Sequence, residues 1–390
     1  MSAVVVGYAR TPFVRFTGSF AAVPATALGS HAIRGALRRA AVLPESVDRV
    51  VGGQVLQALA GQNPARQAAV GADIPLTVPA LTLNMVCLSG LEAVSQAAAV
   101  IDAGLADVVV AVGMESMSCA PHAWSGSRDG ARYGSIELLD TLERDGLTDA
   151  FEHRSMGAST EDGNAELRLS REAQDAWSVR SHRRAAASRD FLAGEIEPYE
   201  LSTRRGSTTV AVDDGVRDDA TAEGLARLRP AFRGEGTITA GNSSPITDGA
   251  AAVVLMSESA AAGSGAVPLA RVIASAIVAG PDVRLHRQPS DAIVMALHRA
   301  EADATALARI EINEAFASVA LASTEALGVD PDIVNVHGGA IALGHPIGAS
   351  GARIVGTLAR QLAELGPGTL GAAGICGGGG QGAAILLESL

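Results

Sequence analysis

Ser350-Gly-Ala-Arg-Ile-Val-Gly-Thr-Leu-Ala-Arg-Gln-Leu-Ala-Glu-Leu-Gly366 reads as a helix that opens at Ser-Gly and stops at glycine, and the apolar segment after it ends at Gly374. Ile354, Leu358 and Leu365 give the stretch its helical character. An earlier stretch has the same order of parts. Ser89-Gly90 opens a helical segment through Gln96 and Ile101 that stops at Gly104, and Asp107-Val-Val-Val-Ala-Val forms a strand that leads to Gly113. Gly351 precedes Gly374 by 23 residues, and Gly90 precedes Gly113 by 23. Two matching units predict a duplicated α/β half. The competing reading is coincidence, in a chain with 44 glycines.

Outward from these units the composition changes. Residues 119–235 hold most of the charge runs, including Arg180 to Arg184 and Asp213 to Asp219. Ser170 followed by Arg171-Glu172 predicts a helix start with an acidic residue in the first turn, running to about Leu192 and ended by Gly194. This section reads as a polar insertion. The chain returns to strand-like text at Ile238. Gly249-Ala-Ala-Ala-Val-Val-Leu-Met256 suits a buried strand. A linker rich in Ala, Gly and Ser (259–266) leads into the second unit.

The whole chain has 390 residues, more than one ordinary core needs. Hydrophobic residues are 48% and aromatics only 3%, so small residues dominate the packing, as in layered α/β proteins. A net charge of -12 argues against a nucleic-acid surface. Three cysteines, at 87, 119 and 376, form no paired framework and no metal spacing, which fits a reducing compartment. The start reads as a strand rather than a signal peptide, no run is long enough for a membrane span, and the terminal Glu-Ser-Leu is not the peroxisomal signal. A cytoplasmic protein with no metal is the expectation.

Four residues can carry chemistry. Cys87, in Asn84-Met-Val-Cys-Leu-Ser-Gly90, sits just before a predicted helix, where backbone N–H groups and the helix dipole favour a thiolate. A lone cysteine is as readily a buried structural residue. Cys376, in Gly374-Ile-Cys-Gly-Gly-Gly-Gly-Gln-Gly382, precedes four glycines that expose the thiol and free N–H groups for an oxyanion; a flexible turn is the plain alternative. His345, in Gly344-His-Pro-Ile-Gly-Ala-Ser-Gly351, is a base candidate in a Gly/Pro loop before a helix. Asn313, in Asn313-Glu-Ala-Phe316, can hold a water or donate to an oxyanion, but alone it reads more simply as a helix cap.

Together these blocks resemble the thiolase family over essentially the whole chain. The resemblance rests on 84–90, Gly113-Met-Glu-Ser-Met117, Ala240-Gly-Asn-Ser-Ser-Pro245, Asn313-Glu-Ala-Phe-Ala317, Gly344 to Gly351 and Cys376-Gly-Gly-Gly-Gly380, in that order. It implies an α/β thiolase fold, with two similar halves in a five-layered αβαβα arrangement and an inserted loop domain. The expected division is 1–118 with 236–266 for the first half, 119–235 for the insertion that binds coenzyme A and makes oligomer contacts, and 267–390 for the second half.

The resemblance also implies roles. Cys87 becomes acylated, His345 takes its proton, and Cys376 moves the proton at the carbon beside the thioester. One oxyanion hole combines His345 with a water held by Asn313. The other combines the N–H groups of Cys87 and Gly378. Arg217 is expected at the nucleotide end of coenzyme A and Ser244 on its pantetheine arm. Leu147, Met156 and Phe316 are expected at the acyl and substrate pocket. Acyl-CoA, acetyl-CoA and CoA are the implied partners, with no cofactor, no nucleic acid and no membrane. A homo-oligomer is implied, and Ser118 to Asp149 resemble the loop that joins two dimers, favouring a tetramer.

Three positions depart from the biosynthetic pattern. Ser155 stands where those enzymes have His, Leu88 follows the nucleophile where Gly, Ala or Ser is usual, and His286-Arg-Gln-Pro289 replaces a Gly-rich stretch. Leu147-Thr-Asp-Ala-Phe151 and Met156-Gly157 favour an acetyl-CoA acetyltransferase. The departures favour a degradative 3-ketoacyl-CoA thiolase of fatty-acid β-oxidation for longer chains. A non-catalytic relative would lack Cys87, His345 or Cys376, and all three are present.

Overall fold

The computed structural model describes residues 2–203 and 206–390; Met1, at the start of the expected first strand, lies outside them. The first half contributes strands β1 (Ala3–Arg10), β2 (Arg49–Gly53), β3 (Ala80–Leu83), β4 (Val108–Glu115) and β5 (Thr247–Ser257), with helices α1 (Ala25–Ala40), α2 (Pro64–Gly71) and α3 (Ser89–Asp102). Between β4 and β5 lie α4 (Met156–Glu166) and α5 (Arg171–Ala187). The second half contributes β6 (Ala270–Ala279), β7 (Leu307–Ile312), β8 (Leu370–Gly377) and β9 (Gln381–Ser389), with α6 (Gln288–Arg299), α7 (Ala317–Leu327) and α8 (Ser350–Leu365).

The duplication read from the glycine spacing is present in the topology. Strand order is β1-β5-β4-β2-β3 in one half and β6-β9-β8-β7 in the other. Directions match as well. The β1–β5 and β5–β4 pairs are antiparallel and β4–β2 is parallel; β6–β9 and β9–β8 are antiparallel and β8–β7 is parallel. The register places Gly53 beside Gly113 in one half and Ile312 beside Gly374 in the other. β1 and β6 pair at Val4↔Arg271 and Val5↔Ala270, joining the nine strands into one sheet, to which the short strand Val14–Arg15 adds a tenth by pairing with β5.

Alternation along the strands builds the layers. Every residue of β5 is buried. Ala250, Ala252, Val254 and Met256 face the core made with α1 and α2. Ala251, Val253 and Leu255 face the opposite core, which holds α3 and α8 and is closed by Ala373, Ile375, Ile385 and Leu387 of the second half. A third core packs α6 and α7 on the far face of β7–β9. The result is α1/α2, sheet, α3/α8, sheet, α6/α7: the five layers the resemblance implied. Each Val or Leu taken out of water here contributes roughly 1.5–3 kcal/mol.

The two Ser-Gly units meet at the centre. A Cβ on Gly90 would lie 2.7 Å from Ala352 N, and one on Gly351 would lie 2.9 Å from the Gly90 carbonyl carbon. The helices touch backbone to backbone at equivalent residues, so neither glycine can carry a side chain.

Four local expectations change. The helix from Ser170 is capped as expected, with Ser170 Oγ accepting from Ala173 N at 3.2 Å, but it breaks at Ser188 and resumes as the short helix Arg189–Ala193. Asn313 caps no helix: α7 begins only at Ala317, after Phe316, because Asn313 is buried and turned toward His345. The linker at 259–266 contains a helix, Glu258–Ser264, capped by Ser257. Strand pairing at Ile238 is only an isolated bridge beside it, and the continuous strand starts at Thr247. Among the described residues, no helix is long and apolar enough to cross a membrane.

The region between β4 and β5 is bound to the body by buried polar contacts. Arg10 of β1 pairs with Glu195 at 2.9 Å and Asp213 at 2.6 Å. Trp177 and Ser181 of α5 donate to Glu314 at 2.9 and 2.7 Å.

Candidate active site

Asn84 to Ser89 form a tight elbow between β3 and α3. Val86 sits at φ +52°, a region that costs a β-branched residue on the order of 1–3 kcal/mol. Side chains on both sides hold it. Asn84 Oδ1 accepts from Val86 N at 2.9 Å; Ser89 Oγ accepts from Met85 N at 2.9 Å and donates to Val86 O at 2.6 Å. The elbow presents Cys87 to a cavity of about 500 Å³ at the amino end of α3.

Cys376 enters the same cavity from β8, fully buried. The strand runs on past it to Gly377, so Cys376 is held by pairing with Gly382 rather than by the glycine turn. Beyond it, the Gly378 N–H points at the Cys87 sulfur, as does the N–H of Cys87 itself. Two backbone donors thus lie close to the Cys87 sulfur, where an oxyanion formed beside it would need them.

His345 lines the same cavity. Its Nδ1 is 2.6 Å from Ser350 Oγ, which in turn donates to Pro346 O at 3.1 Å. With the serine proton on Pro346, Nδ1–H donates to Ser350 and Nε2 keeps its lone pair. That Nε2 has no protein partner among the described residues. Asn313 Nδ2 is 3.4 Å from Nδ1.

Burial sets the charge states. It pushes the Cys87 thiol up to about 12, against the pull of the Gly378 and Cys87 N–H groups and with a smaller push from Glu115. Burial also raises Cys376, reinforced by the nearby Cys87. Burial, aided by Arg353, lowers His345 to about 3. The thiol and the imidazole therefore both rest neutral, so a thiolate at Cys87 would need a base to take its proton as it forms.

Glu115, at the end of β4, fastens the surroundings. Its carboxylate accepts from Val55 N at 3.0 Å, Leu56 N at 3.1 Å and Gly348 N at 3.0 Å. One side chain ties the loop after β2 to the loop that carries His345. Burial raises it to about 7 despite these donors.

The remaining expected residues divide. Leu147, Met156, Phe316 and Ser244 line the cavity. Ser244 Oγ donates to Ala315 O at 3.0 Å. Asn313 stands behind His345 rather than on the wall. Arg217 is exposed and lines a smaller adjoining pocket that shares Ser243 with the main one. Of the departing positions, Ser155 lines the cavity and caps α4, accepting from Ala158 N at 3.3 Å. His286 is buried outside it, 2.8 Å from Asn164 Oδ1, while its neighbour Leu285 lines the wall.

Family comparison matches this architecture. The model described as the thiolase N-terminal domain covers residues 3–259, and that of the thiolase C-terminal domain covers 266–389. The chain belongs to the thiolase family. Among its thiolase relatives, a probable acetyl-CoA acetyltransferase of Mycolicibacterium smegmatis is 50% identical over 388 residues, 99% of this chain and 100% of that protein. An acetyl-CoA acetyltransferase of Chromobacterium violaceum is 46% identical over 391 residues, all of both chains. One from Cupriavidus necator is 47% identical over 389 residues, 99% of this chain and 98% of that protein.

Three features of this thiolase escaped the sequence reading. Ser350 looked only like a helix start, and its partnership with His345 had no signal beyond a spacing of five. Glu115 lies in an apolar run, where a lone acid in Gly113-Met-Glu-Ser-Met117 is itself the clue, since a buried carboxylate needs several donors. Val86 gave no turn signal at all.

Proposed function

We propose that this thiolase is an acetyl-CoA acetyltransferase that condenses two acetyl-CoA molecules, reversibly, through acetyl-Cys87. The observation that carries the reading is the convergence of Cys87, Cys376, His345 Nε2 and the Gly378 N–H on one mostly apolar cavity. Cys87 sulfur attacks the thioester carbon as its proton passes to His345 Nε2. The N–H groups of Cys87 and Gly378 receive the oxyanion. The C–S bond to CoA breaks. Proton balance then assigns Cys376 to protonate the leaving CoA, which leaves Cys376 as thiolate and His345 as imidazolium.

In the second half-reaction the Cys376 thiolate takes a methyl proton from a second acetyl-CoA. The enolate oxygen accepts from His345 Nε2–H and from a water held by Asn313. The enolate carbon attacks acetyl-Cys87, the C–S bond breaks, and the Cys87 sulfur recovers its proton from His345. Every proton returns to its origin. This sequence needs no metal or prosthetic group; coenzyme A is a substrate and product.

Leu147, Met156 and Phe316 bound the acyl end in this reading, Ser244 lies along the pantetheine arm, and Arg217 meets the nucleotide end through the adjoining pocket. The protein works as a cytoplasmic homo-oligomer, a tetramer of two dimers. The test is acetyl-CoA labelling followed by peptide mass spectrometry, with a chain-length series of 3-ketoacyl-CoA substrates. Acetyl on the Cys87 peptide and highest kcat/KM for the four-carbon substrate are expected. A label on Cys119, or a preference for chains of eight carbons and longer, contradicts the proposal.

A further inference from the structure

The residues flanking the nucleophile grip the two glycines after Cys376. A Cβ placed on Gly378 would meet Val86 Cγ1 at 3.5 Å, and one placed on Gly377 would meet Leu88 Cγ at 2.9 Å. The first is ordinary contact; the second is closer than side chains pack. Leu88 is fully buried, and its side chain fills the space directly under Gly377. Neither Gly377 nor Gly378 adopts positive φ, unlike Gly379 and Gly380. Glycine at 377 is therefore required by Leu88 and not by the backbone. The elbow touches the opposing strand end at two successive residues, one on each side of Cys87.

We infer that Leu88 is a positioning residue for the oxyanion hole: its side chain, seated against the bare Gly377 backbone, sets the distance from the Gly378 N–H to the Cys87 sulfur. This rests on the function proposed above. The two donors belong to different halves, the Cys87 N–H to the α3 elbow and the Gly378 N–H to the end of β8. Something must fix the gap between them. Main-chain pairing fixes β8 to β9, and the Asn84 and Ser89 bonds fix the elbow to itself. The Leu88–Gly377 contact spans the two. A loss of packing there lets the Gly378 N–H drift while leaving both cysteines in place. Donors in such sites act on the transition state, so a displacement lowers kcat with little change in KM.

The test combines size changes at both positions, with thermal melts to confirm folding. Leu88→Ala should lower kcat for condensation about 10- to 100-fold, while KM for acetyl-CoA moves less than about threefold. Leu88→Met, which refills the volume, should return to within about threefold of the parent. Gly377→Ala alone should be severely impaired. The same change in the Leu88→Ala background has room for its methyl, so the double variant should be at least about tenfold more active than Gly377→Ala. Should Leu88→Ala not fold, Leu88→Val with and without Gly377→Ala decides by the same comparison. A folded Leu88→Ala within about twofold of the parent kcat overturns the inference, as does Gly377→Ala damage that is independent of residue 88. A parent that takes no acetyl label on Cys87 overturns the proposed function, and this inference with it.

Discussion

Ser350 Oγ sits 2.6 Å from His345 Nδ1, so the first residue of α8 holds the ring that shares the cavity with Cys87. The hydroxyl also donates to Pro346 O, which leaves it able to accept Nδ1–H and keeps Nε2 free as a base. Ser350→Ala removes that orientation without touching substrate. The expected outcome is a kcat about tenfold lower, the scale of one lost hydrogen bond, with KM for acetyl-CoA nearly unchanged. Steady-state kinetics of the folded variant check it; an unchanged kcat would show that packing alone orients the ring.

The pH dependence follows from the neutral resting pair. His345 is lowered to about 3 and Cys87 raised to about 12, both chiefly by burial. Neither titrates near neutrality, so the rate of acylation by acetyl-CoA should be flat from about pH 5 to 9. Stability behaves otherwise. Between about pH 3 and 6.5 the unfolded chain binds a proton at His345 that the folded one refuses, so stability is lost as pH falls through that window. Stopped-flow acylation and denaturant melts of parent and His345→Asn test both; an acylation limb centred near 6.5 refutes the neutral pair.

Cys376→Ser separates the two thiols. A serine hydroxyl has a pKa far above that of a thiol near 8.5, so proton transfer at carbon should slow by about 10²- to 10⁴-fold. CoA can still leave as its thiolate, and His345 still serves Cys87, so Cys87 should still take the acetyl group. Cys87→Ser should fail at both steps. Deuterium exchange into the acetyl-CoA methyl group, followed alongside acylation, is the decisive measurement. Exchange at the parent rate in Cys376→Ser removes Cys376 as the carbon base.

Assembly is checked on the segment from Ser118 to Asp149. Tyr133, Ile136 and Leu138 stand exposed in the protomer, which invites burial by a second copy. Light scattering should give a tetramer, and Ile136→Glu with Leu138→Glu should reduce it to a dimer without loss of fold. A monomeric parent at micromolar concentration sinks the proposal.

The duplicated half was legible because its glycines answer to packing. Gly90 and Gly351 are where two central helices touch, and that constraint writes itself into the chain at equal spacing. Cys87, His345 and Cys376 stood out as a family pattern, and the structure gathers them. What stayed hidden depends on tertiary placement. No rule of local sequence puts a valine at φ +52° or turns Asn313 away from a helix cap toward a histidine. The break at Ser188 interrupts a stretch whose composition favours helix throughout. Arg217, expected at the nucleotide end of coenzyme A, lies in the adjoining pocket on a loop that follows Asp213, and the anchoring of Asp213 by Arg10 had no signal in the sequence.

The two halves can be superimposed by counting. Gly53 answers to Ile312, Gly113 to Gly374 and Gly90 to Gly351, so Glu115 occupies the place of Cys376, Gly348 the place of Cys87, and Gln54 the place of Asn313. Glu115 grips the Gly348 N–H in the same relation that sets Cys376 beside Cys87. The molecule thus contains one arrangement twice: one place holds the two thiols, and at the other a carboxylate fastens the loop that carries His345. The two places therefore share strand pairing and helix position, and differ both in side chains and in backbone, since Val86 takes positive φ and its counterpart Ile347 does not.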